Sequence, residues 1–425
     1  MRDKHAEIVQ ALQSIVGPDH VTANTSLKVD GLTPKLLARP ASAEKVVACL
    51  KVCSEHAAAV IPAGRMNWLD CGNPLRRAEV ILSLDRMCRI IDYSAADLTA
   101  TVEAGLSLTA LNEVTMKQRQ WLPLDPPGFT SASVGAVAAC NSSGALRLGF
   151  GTPRDFVIGL KLAHADGTES KSGGRVVKNV AGYDLNKLYV GSYGTLAVIT
   201  ELTFKLRPLA ERSATLMITS RYRGPLFLFA RKLLASELQP ASVILTRRLS
   251  RARIQLPDDA LLVRFIDSEA AVEHQLSSVR ELIGEDLKTR QLNDTEAKAV
   301  WSEVADFGQH SIRVRFSVPL SAAPAEFEKA FLAHLECVAC ADIGVGIIRV
   351  GFDADERAVV AQIKKLRSNA VAAGGSLVIE KAPAEVRLKA DAWGEVGSTA
   401  PLMRSLKDKF DPQSLLNPGK FVAGI

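Results

Sequence analysis

Apolar and polar positions in the first half of the chain follow two alternating periods, one suited to strands and one to helices. A strand closes at Arg39-Pro40, and Ser42-Ala43-Glu44 then caps a helix running to about His56, with Val46, Val47 and Leu50 on its apolar stripe. Ala58 to Pro62 reads as a short buried strand leading into the loop Ala63 to Gly72. Further strands are predicted at Val80 to Leu84 and Thr99 to Glu103, with Gly105 breaking the second, and a helix from Ser107 to Gln118. Met1 to Val16 has amphipathic helix spacing, and Asp166-Gly167 marks a hairpin. Two apolar strands follow at Leu196 to Thr200 and Leu202 to Leu206, and Pro208 closes the pair.

From Arg212 the rhythm changes. Strands at Ala214–Thr219, Ser242–Thr246, Ala260–Phe265, Ser311–Val318 and Gly344–Val350 alternate with helices near 225–236, 268–283, 322–335 and 355–372. Repeated units of this kind predict an antiparallel sheet with helices on one face. The last residues add a helix at about 399–409 and the turn Asn417-Pro418-Gly419. The fold class is therefore α+β. Residues 1–208 form two α/β subdomains around a cleft, 209–398 a smaller α+β domain, and 399–425 a terminal segment.

Composition narrows the function classes. The 425 residues suffice for two cores, and 47% hydrophobic with 23% charged residues is a globular profile. The formal charge of +6 is spread along the chain, which argues against nucleic-acid binding. Arg2, Asp3, Lys4, His5 and Glu7 leave no apolar signal region at the start, and no apolar run is long enough to span a membrane. Seven cysteines at irregular spacing predict free thiols and a cytoplasmic location. Cys49 and Cys53, one helical turn apart, read as core. Cys337-Val338-Ala339-Cys340 lacks the second pair that a metal or iron–sulfur site needs, which leaves core packing or a lone dithiol.

The chemistry lies in an ordered set of loops. Ala63-Gly64-Arg65-Met66-Asn67 follows the first buried strand. Asp125-Pro126-Pro127-Gly128 precedes the small-residue run Ser131-Ala132-Ser133-Val134-Gly135-Ala136-Val137-Ala138-Ala139-Cys140-Asn141-Ser142-Ser143-Gly144. Gly149-Phe150-Gly151-Thr152-Pro153-Arg154-Asp155 comes next. The stretch from Gly173 to Pro208 holds Lys178, Asn179, Gly182, Tyr183 and Asp184, then a Gly-Ser-Tyr-Gly turn, and the tail contributes Asn417-Pro418-Gly419-Lys420.

Taken in order, these segments resemble the FAD-binding domain of the vanillyl-alcohol-oxidase, or PCMH-type, flavoproteins. Within that superfamily they are most similar to the FAD-binding E subunit of bacterial glycolate oxidases. The resemblance covers 36–208 and 400–425, while 209–399 fits the general layout as a cap domain, with the tail folding back on the FAD domain. It implies that Gly64, Arg65, Met66 and Asn67 stand where relatives carry a Gly-rich phosphate loop. Arg65 would either replace lost amide contacts with a charged one or point to solvent with FAD held weakly or lost, and Asn67 would take a left-handed conformation. It further implies that Ser133, Gly135, Asn141, Ser143 and Gly144 line the pyrophosphate and ribityl chain, with Pro126 and Ser131 also binding the cofactor; the residues alone equally allow a tight small-residue core segment. Gly151 would approach the flavin, Arg154 would contact it or pair with Asp155, and Ile199 would meet the adenine end. Lys178 and Tyr183 would line the cofactor or a partner surface. Neither Cys71 nor Cys140 sits at an attachment position, so FAD is expected to be noncovalent.

A complete catalytic set is not visible. Oxidising a 2-hydroxy acid needs a base and a cation for the carboxylate. The cap offers only isolated His274, His310 and His334, so no metal site is expected and the catalytic residues stay unassigned. Arg313 and Arg315 share one strand face, and either clamp a carboxylate or sit solvated at a strand edge. The resemblance implies a glycolate oxidase subunit beside a larger FAD-linked subunit and an iron–sulfur subunit, cytoplasmic and held at the inner membrane face through the complex. The alternatives are a stand-alone 2-hydroxy-acid oxidoreductase and a structural subunit that no longer holds FAD.

Overall fold

A computed structural model describes residues 4–128, 130–174, 183–249, 256–306, 310–333 and 337–425. Its first sheet orders the strands Val21–Ala23, Leu36–Ala38, Val80–Ser83 and Val60–Ala63. Val80–Ser83 pairs in parallel with both neighbours and is buried along its whole length, because helices and loops cover both of its faces. The helix Ala43–Glu55 packs its stripe of Val46, Cys49, Leu50 and Cys53 into the core, as the spacing predicts. Ser42 caps it by accepting the Lys45 N–H.

The second sheet is antiparallel, in the order Ile90–Ser94, Thr99–Glu103, Val198–Lys205, Val157–Ala163 and Glu169–Gly173. The two predicted strands at 196–206 are in fact one, Val198–Lys205. It lies in the sheet centre, where Leu202 pairs with Val102 on one side and Leu160 on the other. A bulge between Ile199 and Glu201 replaces the predicted break. Side chains of both sheets share one core, which also takes in Leu415 and Leu416 from the tail.

The third sheet has eight antiparallel strands: Lys288–Leu292, Arg212–Thr219, Asp259–Asp267, Ser242–Arg247, Val338–Asp342, Ile347–Phe352, Ile312–Ser317 and Ser376–Lys381. Leu216, Val243, Leu261 and Val263 face one apolar cluster, while Met217, Ile244 and Leu262 face another. The second cluster is closed by Val300, Trp301 and Val304 of the helix Asp294–Asp306. Helices therefore cover both faces of this sheet rather than one. The predicted strand Gly344–Val350 begins only at Ile347, because Asp342 to Gly346 form a turn with Gly346 at positive φ. Cys337 and Cys340 belong to clusters on opposite faces, so they cannot act as a dithiol.

The tail returns to the first sheet. Val60 donates to Leu415 C=O at 2.8 Å, and Asn417 donates to Val60 C=O at 3.0 Å. Lys407, buried on the helix Ala400–Phe410, reaches Asp411 at 2.6 Å and Thr195 C=O at 2.8 Å. Among the described residues, no helix is long and apolar enough to cross a membrane.

Candidate functional site

Two cavities meet in one cleft. A narrow slot of about 90 Å³ lies between the first two sheets, and a chamber of about 580 Å³ opens under the eight-stranded sheet. Asn67, Trp68, Cys71, Cys140 and Tyr193 line both.

The slot is built from small residues pressed against backbone. A Cβ on Gly64 would lie 1.9 Å from Ser133 Oγ, so only glycine lets the first loop close on the second. Ser133 caps the helix Val134–Cys140, and the Asn67 side-chain amide donates to Ser131 C=O at 2.8 Å, tying the loops together. Gly64, Arg65, Met66, Asn67, Ser133, Gly135 and Ile199 line this slot. Arg65 stands exposed at its rim. The left-handed residue of the first loop is Met66, at φ +60, rather than Asn67. The Met66 side chain packs on the cluster of Ile61 and Ile81, and that contact fixes the turn.

A Cβ on Gly135 would meet Ala104 Cβ at 2.7 Å, and one on Gly144 would meet Asp125 O at 2.0 Å. Close packing on protein is enough to require glycine at both positions. Asp125 accepts N–H groups from Gly144 and Leu146 and so holds the end of the second loop. Burial nevertheless pushes its carboxyl up to about 6.

Asn141, Ser143 and Arg154 line the chamber. Arg154 donates to Val190 C=O at 3.0 Å, whereas Asp155 closes a capping box with Thr152. The two do not need one another. Pro126, Ser131, Gly144 and Gly151 line neither cavity. Pro127 lines the chamber in place of Pro126, and Gly151 turns at φ +97 against Asp155. Tyr183 is 94% exposed and lines neither cavity. Lys178 and His334 lie outside the described residues.

The roof of the chamber is a charge cluster assembled across three adjacent strands. Arg313 and Arg315 sit on Ile312–Ser317, Arg349 on one neighbouring strand and Glu380 on the other. The carboxylate of Glu380 lies 3.1, 3.2 and 3.1 Å from Arg313, Arg315 and Arg349. Burial raises its pKa, but the three guanidiniums outweigh that and hold it at about 2. The strand bearing Arg313 is paired on both sides, so edge solvation does not explain these arginines. Arg349 also donates to Ser143 C=O at 2.9 Å, linking the roof to the second loop. Arg147 and Arg154 line the same chamber, which therefore carries an excess of positive charge over Glu380, Asp70 and Asp306.

At the junction of slot and chamber, Tyr193 packs edge-on against Trp393 at 4.7 Å and stacks with Phe421 at 5.5 Å. The sequence reading missed Arg147, Arg349, Glu380, Tyr193, Trp393 and Phe421 as cleft residues. The signal for one of them was present: Arg349 is the single charge within an apolar strand. Of the cap histidines, His274 is exposed, while buried His310 pairs with Asp353 at 3.0 Å across 43 positions of sequence. That is a histidine–carboxylate pair that sequence spacing hid, and it lines neither cavity. Among the described residues, no group of three or more His, Cys, Asp or Glu could hold a metal ion.

A family model described as an FAD binding domain matches residues 34–173. Glycolate oxidase subunit GlcD of Bacillus subtilis (strain 168) is 28% identical across 92% of this chain and 89% of its own length. Subunit GlcE of Escherichia coli (strain K12) is 29% identical across 81% of this chain and 88% of its own. The likeness thus extends to both kinds of glycolate oxidase subunit rather than to E alone. The fold is shared with 4-ethylphenol oxidase from Gulosibacter chungangensis, at a TM-score of 0.77, 13% identity, and 99% and 97% coverage of the two chains.

The cleft fits FAD by its own features. A thin slot with walls of glycine and alanine opens into a wide chamber, as a dinucleotide with a broad ring system requires. Asn417 donates to Tyr193 C=O at 2.8 Å, yet its Oδ1 is buried on the slot wall without a partner. Such an atom is costly unless a ligand donates to it.

Proposed function

We propose that this chain is an FAD-dependent oxidoreductase with a PCMH-type FAD-binding domain and that it serves oxidation of a small 2-hydroxy acid, glycolate, to the corresponding 2-oxo acid. The observation that carries this reading is the arginine cluster over the chamber. Arg313 and Arg315 have Glu380 as their common counter-ion, and three guanidiniums to one carboxylate leave net positive charge for a substrate carboxylate. When bound, FAD supplies the two-electron acceptor. The chain supplies binding and orientation: Gly64 to Asn67 and Ser133 to Asn141 would hold the cofactor, the arginines orient the acid, and Tyr193, Trp393 and Phe421 screen the junction from water.

The protein works, in this reading, as a subunit of a glycolate oxidase complex. Its partners are a larger FAD-linked subunit and an iron–sulfur subunit that carries electrons away, and the complex is cytoplasmic at the inner membrane face. Two things support the reading. Two of the relatives, GlcD and GlcE, are glycolate oxidase subunits, although D-lactate and D-2-hydroxyglutarate dehydrogenases are relatives too, and among the described residues no histidine lines either cavity to take the hydroxyl proton. The partition into 1–208, 209–398 and 399–425 is part of the proposal, supported by the separate apolar clusters on either side of Leu206 and Ala214. A second reading, a self-sufficient oxidoreductase, is favoured by the closure of the chamber within one chain.

Anaerobic addition of glycolate separates the two. Flavin bleaching only in the assembled complex is the expected result. Complete bleaching in the isolated chain would overturn the subunit reading in favour of the second.

A further inference from the structure

Two thiols from different loops face one another where the slot opens into the chamber. Cys71 ends the first loop, Cys140 ends the helix Val134–Cys140, and both line both cavities. Each side chain is the hydrogen-bond partner of the other, and neither is in a disulfide. Both residues are half-buried, and neither belongs to an apolar core cluster.

The remaining cysteines are placed differently. Burial pushes Cys49 and Cys53 up to about 12 and Cys337 up to about 11, and drives Cys340 higher still. Cys88 donates to Asp85 C=O at 3.0 Å. At Cys71 the hydrogen bond to Cys140 outweighs burial and holds the thiol below its ordinary value. Lys420 acts in the same direction and Asp70 against it. Cys140 keeps its proton correspondingly longer. Two free thiols from different loops thus share one junction that opens to both cavities, which is the arrangement thiol–disulfide exchange requires.

We propose that Cys71 and Cys140 form a thiol–disulfide exchange site that a small-molecule disulfide oxidises, and that the bond formed staples the first cofactor loop to the second across the mouth of the slot. In the first step the Cys71 thiolate attacks one sulfur of the external disulfide, forming a mixed disulfide and releasing one thiolate. Cys140 then attacks the Cys71 sulfur and releases the other. Two protein thiols are oxidised to one disulfide and the external disulfide is reduced to two thiols, which take up the two protons. The inference does not depend on which acid the enzyme oxidises. The staple joins the loops that carry Asn67 and Ser133, so its closure slows passage of FAD through the cleft.

The test uses the full chain with oxidised glutathione under nitrogen, followed by alkylation of free thiols and peptide mapping by mass spectrometry. The expected result is loss of both Cys71 and Cys140 from the alkylated set, with a peptide linked through these two residues and full reversal by dithiothreitol. The linked peptide should be absent from Cys71→Ser and Cys140→Ser, and flavin release on dilution should be slower from the bridged protein. Glutathione retained on either residue without a bridge, a bridge to any other cysteine, or both thiols left free would overturn the proposal. The wild-type map decides this even where a serine variant folds poorly.

Discussion

The slot and the chamber meet at Tyr193, yet they are made by opposite means. The slot is a product of neighbours in sequence: two loops of small residues, each following or opening a regular element, pressed together until Gly64 touches Ser133. Its specificity resides in backbone and shape. The chamber is a product of distance: Arg147 and Arg154 from the N-terminal half face Arg313, Arg315, Arg349 and Glu380 from three strands of another sheet. Its specificity resides in long charged side chains, which need a scaffold to hold them near one another at an acceptable desolvation cost. A cofactor pocket of the first kind can stay constant while a substrate pocket of the second kind is rewritten residue by residue. Perturbing one should therefore leave the other's readout in place.

The largest effect should come from Glu380→Ala. It leaves three guanidiniums without their shared carboxylate, and should cost about 3 kcal/mol, the low end for breaking a buried pair because the group still touches the chamber. Thermal unfolding of the flavin-loaded protein measures this. An unchanged Tm would mean that the cluster is solvated and that the contrast with the slot is overstated. Next, Gly64→Ala should destabilise by about 1–3 kcal/mol through overpacking and release flavin on gel filtration. Adding Ser133→Gly, which removes the clashing side chain while costing the helix cap only a few tenths of a kcal/mol, should restore retention. If retention does not return, the wall of the slot is not where the flavin is held.

Arg315→Met sharpens the comparison from the other side. Losing one charge-assisted contact of about 1.5–3 kcal/mol should weaken carboxylate binding by about tenfold to a hundredfold, with flavin content unchanged. A pH effect concerns two carboxyls that line neither cavity. Burial raises Asp342 to about 7 and Asp125 to about 6. A carboxyl that holds its proton longer in the folded state makes folding take up a proton, so these groups lower stability as pH rises from about 4 toward 7, and no further beyond. The slope is at most about 1.4 kcal/mol per pH unit for each group. Urea unfolding at a series of pH values should show a shallower fall for Asp342→Asn than for the wild type. A parallel fall in both would remove Asp342 from the account.

The same contrast explains what was legible in the sequence. The strands at 60–63, 80–83 and 99–103, the capped helix at 43–55 and the loop residues Gly64 to Asn67 and Ser133 are all readable because periodicity, caps and glycines are local signals. At Gly135 and Gly144 a sequence says that no Cβ fits but not what stands in its way, which here is Ala104 and Asp125. The strands at 288–292, 338–342 and 376–381 escaped because their short runs resemble loop or helix margins. Arg349 could be noticed as the charge in an apolar strand, but its meeting with Arg313 and Glu380 depends on a strand order of 338–342, 347–352, 312–317, 376–381 that no local pattern encodes. His310 and Asp353 illustrate the same limit, being adjacent in space and remote in the chain.

The central claim is that slot and chamber form one cleft, with FAD held by the first and a carboxylate drawn in by the second. Its most direct test is a titration of the flavin absorbance of the isolated chain with oxalate, an acid too oxidised to react, in the wild type and in Arg315→Met. A saturable spectral shift in the wild type that is weakened in the variant at equal flavin content is the predicted result. A shift of equal affinity in both proteins, or no shift in a flavin-replete wild type, would contradict it.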